Sequence, residues 1–433
     1  MSFYINVGYK FPSTSSIPSE GGLILCSAMP LHQLVRRRPQ KNKFLSKRVF
    51  DPQLYLAGLD PAQSPKHCTT LSSYPWFGVK GLKTFDSSEQ TQASWRKESN
   101  SNIQQIWPRN PPSDPNVISK AVKECIDFQI KLGCECVIIP SPLTSDPVAN
   151  YGNELIWIDA ATDYVAELRD FHTPLFATVA IADICGRYTN PLQNSFLDLV
   201  SDAVSARKLD GVYIVLEQGS ESLETRHCSN SRVLASVLRL VHLFSINAGL
   251  RVIVNFMGMF GLVCESVGAS MWADGWYKSL HRLRLADKLA GGRSYPSYWS
   301  FPTSLDIHLE NDFDNLVSAG LLPSIQDITS ASEGLIRAAA AGRSANSVPA
   351  WNYRQSNITS ASEHYLLSCI AAETTLSKLS EKERLDFTEE WLRVAENKAL
   401  LIERTLGSSG KTNTRHVTAW REAFRLFRQD HNV

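Results

Sequence analysis

Apolar residues alternate between two spacings from about residue 115 to residue 287. Segments with helical spacing are separated by short runs rich in Val, Ile and Leu, which is the pattern of alternating helices and strands. In residues 116–132 the apolar side chains form a helical stripe, and Gly133 provides the left-handed cap that ends a helix. Strands are then predicted at 136–140, Leu175–Ala182, Gly211–Glu217, 251–257 and 269–273, and further helices at 156–169, 192–207, 231–247 and 277–289.

The predicted strands are apolar along their whole length, which is typical of a parallel sheet that helices cover on both sides. Counting residues 22–28 as a first strand gives about six strands before residue 290, and residues 305–309 and 322–327 supply two more. An open doubly wound sheet usually carries a G-x-G-x-x-G turn after a strand, and none is present in the sequence. We therefore predict a TIM-type (β/α)8 barrel, regular or irregular.

The two ends of the chain depart from this pattern. From about residue 29 to residue 115 the sequence is rich in Pro, Ser, Asn, Gln and Lys, which indicates a long, loop-rich insertion. Near the other end, S-x-x-E capping boxes at Ser360 and Ser380 predict helices from about residues 361 and 381. We predict a barrel over residues 1–340 that includes the insertion, and a helical extension over residues 341–433.

The last predicted helix, residues 415–429, carries one apolar stripe. It is formed by Val417, Trp420, Phe424 and Phe427. Large apolar side chains on one helix face must be covered in a soluble protein. The stripe therefore packs against the barrel or the preceding helices, or it binds a protein partner.

Composition and charge narrow the class of protein. The chain has 433 residues, 43% hydrophobic and 20% charged, so it can bury a large core. Its formal net charge of +1 argues against a disordered chain and against broad coating of nucleic acid. Seven of the thirteen residues from 36 to 48 are basic, Arg36, Arg37 and Arg38 among them. Such a run either contacts phosphate or forms a solvated loop.

We expect a cytosolic protein. Residues 1–12 lack the charged region and apolar stretch of a secretory signal, and the longest apolar runs fall far short of the roughly 20 residues that a membrane helix needs. Nine scattered cysteines contain no C-x-x-C pair that would seed a zinc or redox motif. The sequence predicts neither a membrane partner nor a cofactor.

Polar residues stand where the predicted strands end, and in such barrels the active site lies at the carboxyl ends of the strands. The residues at or near these ends are Ser141, Asp183, Glu217, Asn255 and Asp274. Several carboxylates in one mouth raise one another's pKa, so that one serves as acid while another stays ionised. We therefore expect Glu217, Asp274 and Asp183 to be catalytic, and Asn255 and Ser141 to bind substrate.

Each of these residues also has a structural interpretation. Glu217 ends an apolar run, where a charge is costly unless it faces a polar mouth, although the same residue could begin a loop. Asn255 interrupts an apolar strand and should hydrogen-bond a ligand or a neighbouring carboxylate, or it is satisfied structurally within the protein. Asp183 and Asp274 follow their strands directly and could cap the helices that start there.

Residues 291–299 combine two glycines with Arg293, Tyr298 and Trp299. Arg293 suits the clamping of an anion, and the two aromatic rings suit stacking on a planar ring or a sugar. The alternative is ordinary aromatic packing of a long loop. Together with the acids, the segment predicts a polar, ring-bearing substrate, such as a nucleoside or a sugar, that reacts at its glycosidic bond.

A metal site is a second hypothesis. If residues 305–310 form a strand, Asp306, His308 and Glu310 share one face, and their side chains are suitable metal ligands. A solvated strand edge would show the same alternation. Sequence spacing places neither His172, His227 nor His281 beside them.

Residues 258–280 contain Gly261, the run G-A-S-M-W-A-D at 268–274, and Tyr277. The stretch is similar to the strand that carries the nucleophilic aspartate in tRNA-guanine transglycosylase-type barrels. The likeness covers about twenty residues, the aspartate lies one position away from the family register, and no counterpart of the family's zinc-binding cysteines follows. The resemblance implies a preference for Asp274 among the candidate acids.

Two functions follow from the sequence. The first is a barrel enzyme that uses mouth carboxylates on a small polar, ring-bearing substrate, as a glycosidase or a glycosyl or base transferase would. The alternative is a non-catalytic, barrel-derived protein that binds a protein or nucleic-acid partner through the basic run and the C-terminal stripe.

Overall fold

A computed structural model gives the fold of the chain. It describes residues 3–8, 21–31, 34, 47–79, 92–108, 110–146, 151–187, 195–219, 227–285, 295–354 and 358–431. One sheet contains eight parallel strands, which are β1 (Phe3–Asn6), β2 (Gly22–Cys26), β3 (Arg48–Asp51), β4 (Val137–Ile138), β5 (Leu175–Ala182), β6 (Gly211–Glu217), β7 (Arg251–Asn255) and β8 (Met271–Gly275).

The strands follow one another around a barrel in chain order. Each strand from β4 to β7 pairs with the next, β8 pairs with β1, and β1 to β3 continue the sheet. Between β3 and β4 the sheet is nearly closed, because the backbone N–H of Glu135 donates to the carbonyl of Arg48 at 2.9 Å. The predicted TIM-type α/β barrel is confirmed.

The structure corrects which segments supply the strands. Phe3–Asn6 was not predicted, and Arg48–Asp51 lies inside the segment predicted to be a loop-rich insertion. Residues 322–327, predicted as a strand, contain a short helix that starts with a proline in its first turn, where the missing N–H costs nothing. The strand predicted at 305–309 exists, but it lies outside the barrel.

That strand is β10 (Leu305–His308), and it pairs antiparallel with β9 (Ser297–Ser300). The two strands form a hairpin that follows the last barrel strand. The helices are α1 (Pro65–Leu71), α2 (Gln92–Ile106), α3 (Pro115–Leu132), α4 (Gly152–Glu167), α5 (Ile184–Arg187), α6 (Ser195–Ser205), α7 (Ser231–His242), α8 (Phe260–Ser266), α9 (Asp314–Ser318), α10 (Leu322–Ile325), α11 (Glu333–Ala340), α12 (Thr359–Leu376), α13 (Glu381–Leu406) and α14 (Arg415–His431).

Local sequence explains the ends of α3. The Asp114 side chain accepts hydrogen bonds from the N–H groups of Asn116 and Val117, and Gly133 adopts the left-handed conformation with φ 72°. The helix predicted at 277–289 is wrong in its first part, because only Lys278–Leu280 forms a single 3₁₀ turn there. Residues 286–294 lie outside the described residues.

The C-terminal helices confirm one capping box and not the other. Ser380 and Glu383 form the box at the start of α13, whereas Ser360 lies within α12. Beyond the barrel strands, β9, β10 and α9 to α13 contribute to a second hydrophobic cluster. None of the described helices is both long and apolar enough to cross a lipid bilayer.

The aromatic stripe of α14 packs inside the chain. Trp420, Phe424 and Phe427 are each at most 3% exposed, and α14 lies against α7. The indole N–H of Trp420 donates to the carbonyl of Cys228 at 3.1 Å. The interpretation of these side chains as a protein interface is therefore not supported, because they are already covered.

Candidate functional site

Polar side chains from two barrel loops, the β9–β10 hairpin and α12 meet at one cavity beside the barrel. His227 follows β6, Lys278 and His281 follow β8, Asp306 comes from β10 and Tyr365 from α12. We call these five residues the mouth cluster. Loops after parallel strands are where barrel enzymes carry their active sites, so this cluster is the candidate site.

Asp306 is the centre of the mouth cluster. Its Oδ1 accepts hydrogen bonds from Lys278 Nζ at 3.1 Å and from Ser297 Oγ at 2.7 Å, and its Oδ2 lies 3.2 Å from His227 Nε2. Burial disfavours the ionised carboxylate, but Lys278 and His227 outweigh burial and hold the pKa of Asp306 well below its usual value. Asp306 is therefore an ionised carboxylate in a largely buried position.

A cavity of about 20 Å³ lies beside this carboxylate. Its wall is formed by Trp276, Lys278, His281, Ser297, Trp299, Asp306, Ala361, Ser362 and Tyr365. This volume holds about one water molecule. The indole N–H of Trp299 is buried, and among the described residues it has no hydrogen-bond partner. A polar atom inside the cavity would satisfy a donor of this kind.

Asp274 lies behind Tyr365, which lines the cavity. The Tyr365 hydroxyl donates a short hydrogen bond to Asp274 Oδ2, and the Gly275 N–H donates to Oδ1 at 2.7 Å. Burial raises the pKa of Asp274 to about 8, although both hydrogen bonds lower it. Asp274 is therefore protonated at neutral pH. The ring of Tyr365 also stacks on His281, with ring centres 4.4 Å apart.

The sequence of β8 explains this arrangement. Asp274 pairs in register with Ile5 on β1, so its side chain is fixed at the end of a central strand. Gly275 follows, and a Cβ there would lie only 2.1 Å from Cβ of Leu280. Because only glycine permits this close approach, the chain can turn directly into the 3₁₀ segment that carries Lys278.

Glu217 and Asp183 lie together, outside the wall of this cavity. Glu217 accepts hydrogen bonds from the N–H groups of Gly219 at 3.0 Å and Leu285 at 3.1 Å, and the Asp183 N–H donates to the Glu217 carbonyl at 2.7 Å. Burial raises the pKa of Glu217, and the charge of Asp183 adds to the effect. The Glu217 carboxylate ties the loop after β6 to the loop after β8.

Asn255 belongs to a polar network inside the barrel. Its amide donates to the Tyr213 hydroxyl at 2.6 Å and its carbonyl oxygen accepts from the Asn6 amide at 3.2 Å. Tyr213 in turn donates to Asp51 Oδ2 at 2.9 Å, and Tyr55 donates to the same atom at 2.5 Å. Asn255 is thus satisfied by the protein, as its structural interpretation predicts.

Sequence reasoning missed Asp51, Tyr213 and Asn6. Asp51 and Asn6 end barrel strands, as Asn255 does, so the same inspection of strand ends would have found them once β1 and β3 were recognised. Tyr213 is the one polar side chain in a run of aliphatic residues, which is a weak signal.

The predicted substrate-binding residues fall in different places. Trp299 lines the cavity, but Tyr298 points to the other side of β9, where its hydroxyl donates to the Asp327 carbonyl at 2.7 Å. Ser141 is buried, and its hydroxyl donates to the Pro142 carbonyl at 3.4 Å. Arg293 lies outside the described residues, as do Arg36, Arg37 and Arg38, so their predicted anion contacts stay predictions.

The structure brings together a different set of potential metal ligands from the one predicted from the sequence. Asp306 lies with His227 and His281, and one potential ligand atom from each of the three lies within 4.8 Å of the others. His308 instead contacts the ring of Tyr295, and Glu310 is exposed in the turn after β10. Among the described residues, His308 and Glu310 do not belong to the group of potential ligands around Asp306.

Comparisons with protein-family models, with curated proteins and with solved structures found no match to this chain. The likeness of residues 258–280 to the transglycosylase strand therefore stays a prediction. Function has to be inferred from the chemistry of the mouth cluster, because a TIM barrel by itself supports many unrelated activities.

Proposed function

We propose that the protein is an enzyme that cleaves or transfers the glycosidic bond of a small polar, ring-bearing molecule, such as a nucleoside or a sugar, at the mouth cluster. The observation that carries the proposal is geometric. One cavity at the carboxyl ends of the strands is lined by an anion, a cation, an imidazole, a tyrosine and two indole rings. Binding sites of enzymes combine apolar walls with a few convergent polar groups in this way.

Two carboxyl groups near the cavity differ in protonation. Asp274 is neutral at pH 7, whereas Asp306 is ionised. Glycosidic cleavage needs one group that gives a proton to the leaving group and one carboxylate that stabilises positive charge or activates the attacking molecule. Neighbouring acids whose environments push their pKa values apart are suited to these two roles.

Tyr365 connects the buried acid to the cavity. When Asp274 is protonated, its carboxyl O–H can donate to the Tyr365 oxygen, which frees the tyrosine hydroxyl proton. In the proposed step Tyr365 gives that proton to the leaving oxygen or nitrogen, and Asp274 gives its own proton to Tyr365. Asp306 is the anion that stabilises the positive charge on the sugar carbon, and Lys278 keeps Asp306 ionised. Water then adds to that carbon, and the proton it releases returns to Asp274 through Tyr365.

The size of the cavity sets a condition on binding. A volume of about 20 Å³ admits the reacting group but not a whole ring. Ala361, Ser362 and Tyr365 supply one wall from a single helix, α12. We propose that the first turn of α12, with Ala361 and Ser362, moves outward to admit a substrate while Tyr365 stays hydrogen-bonded to Asp274, and that the substrate ring then stacks on Trp276 or Trp299.

No observation favours the alternative of a non-catalytic interaction protein. Its predicted protein interface on α14 is buried inside the chain. The alternative also predicts a phosphate contact through the basic run from 36 to 48. The structure describes only the last two residues of this run, and the side chain of one of them, Arg48, donates to the Gly133 carbonyl.

The experiment is a cleavage assay on the full chain. Purified protein is incubated with a panel of nucleosides and aryl glycosides, and chromatography follows the release of free base or phenol. We expect wild type to cleave at least one class, and Tyr365→Phe to lose about 10²- to 10⁴-fold in rate because it lacks the proton donor.

Tyr298→Phe is the matched control, since it removes a buried hydroxyl of the same kind outside the cavity. It should keep the wild-type rate. Absence of cleavage across the whole panel, or equal rates for wild type and Tyr365→Phe, would contradict the proposal.

A further inference from the structure

We propose that His227, His281 and Asp306 bind one divalent transition-metal ion, with Zn²⁺ as the best match. The catalytic role of the ion rests on the proposed function, because the ion would lie beside the cavity proposed as the active site. Metal binding itself can be tested separately. It adds a metal to a site in which the sequence alone pointed to a different set of ligands.

The spacing of the three side chains fits a metal after a small contraction. His227 Nε2 and Asp306 Oδ2 are 3.2 Å apart. Two ligand atoms bound tetrahedrally to zinc at about 2.0 Å each lie roughly 3.3 Å from one another. All three ligand atoms lie within 4.8 Å of one another, so bringing His281 to this spacing takes a contraction of at most about 1.5 Å.

The donor chemistry selects the class of ion. Two imidazole nitrogens and one carboxylate oxygen form a common ligand set for zinc, whereas Mg²⁺ and Ca²⁺ prefer oxygen ligands alone. His227 and His281 are each 3% exposed, so little water competes for these nitrogens. Three protein ligands leave a fourth position open, as catalytic zinc sites do.

The neighbours of Asp306 are suitable for a ligand carboxylate. Lys278 and Ser297 both donate to Oδ1, which leaves Oδ2 toward His227. Hydrogen bonds of this kind orient ligand groups in metal sites. His227 packs against the rings of His416 and Trp299, with ring centres 4.5 and 5.8 Å away, and this packing restricts its orientation.

The cavity provides room at the open position. Its volume of about 20 Å³ takes one water molecule, and its wall includes Trp299, whose indole N–H has no partner among the described residues. Zinc lowers the pKa of a bound water to about 7. With the ion bound, Asp306 would serve as its ligand rather than as a free anion, and the zinc-bound hydroxide would attack the sugar carbon next to the proposed proton donor Tyr365.

The test is metal binding to the full chain after dialysis against a chelator, with Zn²⁺ alone followed by calorimetry and Co²⁺ alone followed by its visible absorption. Wild type should bind one equivalent, with the intense bands of a four-coordinate Co²⁺ ion. Asp306→Asn and His281→Gln should each weaken binding by at least about 100-fold. Mg²⁺ should not compete.

His308→Ala is the matched control, because His308 is a buried histidine on the same hairpin that lies outside the ligand set. It should bind Zn²⁺ as wild type does. Circular dichroism and thermal midpoints identify any variant that fails to fold, and His281→Gln serves if Asp306→Asn is one of these. Absence of binding to wild type, equal binding by the ligand variants, or an equal loss in His308→Ala would overturn the metal site.

The two proposals can fail separately. If wild type cleaves a substrate and Tyr365→Phe does not, while neither protein binds metal, only the metal inference fails. If wild type binds one Zn²⁺ through the three ligands but cleaves nothing in the panel, only the proposed function fails.

Discussion

The Tyr365 hydroxyl on α12 donates a hydrogen bond to the Asp274 carboxyl on β8. Asp274 is fully buried and Tyr365 is 4% exposed, so the bond forms away from water. It joins the helical C-terminal region to the last strand of the barrel. Tyr365 lines the cavity and Asp274 lies behind it, so the pair is both a structural link and the proposed source of a proton.

The first prediction concerns the pH dependence of stability. The pKa of Asp274 is raised to about 8 in the folded chain, so the folded state binds a proton that the unfolded state releases near pH 4. The stabilisation from this proton is complete below pH 4 and is lost as the pH rises to 8. The free energy of unfolding should therefore fall by up to about 1.4 kcal/mol per pH unit in this window.

Asp274→Asn removes the titrating group and should flatten that part of the curve, which denaturant unfolding at several pH values measures. The difference between the two curves isolates Asp274, since all other groups titrate in both proteins. Parallel curves for wild type and Asp274→Asn from pH 4 to 8 would show that Asp274 is ionised in the folded state.

The second prediction compares how the stability of Tyr365→Phe and of Tyr298→Phe depends on pH. Tyr365→Phe and Tyr298→Phe should each cost about 1–3 kcal/mol of unfolding free energy, because each leaves a buried polar group without its partner. Only Tyr365→Phe should also move the pH dependence. The Tyr365 hydroxyl lowers the pKa of Asp274, so its removal raises that pKa and shifts the loss of stability to higher pH. An identical pH curve for both variants would contradict the assignment.

The third prediction concerns Glu217. Its two carboxylate oxygens each accept one backbone N–H, from Leu285 and from Gly219. Glu217→Gln keeps only one acceptor oxygen, so one of these N–H groups loses its partner, at a cost of about 1–3 kcal/mol. Glu310→Gln, at an exposed position, should change stability by less than about 0.5 kcal/mol. Equal stabilities in denaturant titrations would show that Glu217 does not tie the two loops.

The fourth prediction concerns the last turn of α14. The rings of His242 and His431 are 4.1 Å apart, and burial lowers the pKa of both. The charges of Glu381 and Asp430 partly oppose this for His242, whereas for His431 the charges of His242 and Arg239 lower the pKa further and that of Asp430 raises it. Stability from the neutral pair is therefore present above about pH 6.5 and lost as the pH falls through the lowered values.

His431→Gln should reduce this acid sensitivity, measured as the change in unfolding free energy between pH 7.5 and pH 5. The comparison variant is His172→Gln, since His172 is exposed and lies outside this pair. A wild-type loss of stability that His431→Gln leaves unchanged would assign the acid sensitivity to other groups.

Much of the barrel could be predicted because its middle strands are long, apolar and followed by clear helices. β5 and β6 were predicted with the bounds that the structure has. β1 and β3 were missed because each has only four residues, and β3 directly follows a basic, proline-containing segment. Such short strands are held by their neighbours in the sheet, and sequence periodicity does not record those contacts.

The site was predictable in part. Asp274 was predicted because it stands at the end of a predicted strand, and Asp306 because apolar and polar residues alternate in residues 305–310. His227 and His281 come from two different loops and meet Asp306 only through the fold, so their spacing in the chain carries no signal. Each does follow a barrel strand within ten residues, and a search for histidines in such loops would have named both.

The most direct test of the mouth cluster is a crystal structure of the full chain soaked with a nucleoside and, separately, with an aryl glycoside. We expect the ring against Trp276 or Trp299, with the glycosidic atom about 2.6–3.2 Å from the Tyr365 hydroxyl and Asp306 on the same side. A compound bound only elsewhere, or no compound bound at saturating concentration, would contradict the assignment of this cavity as the active site.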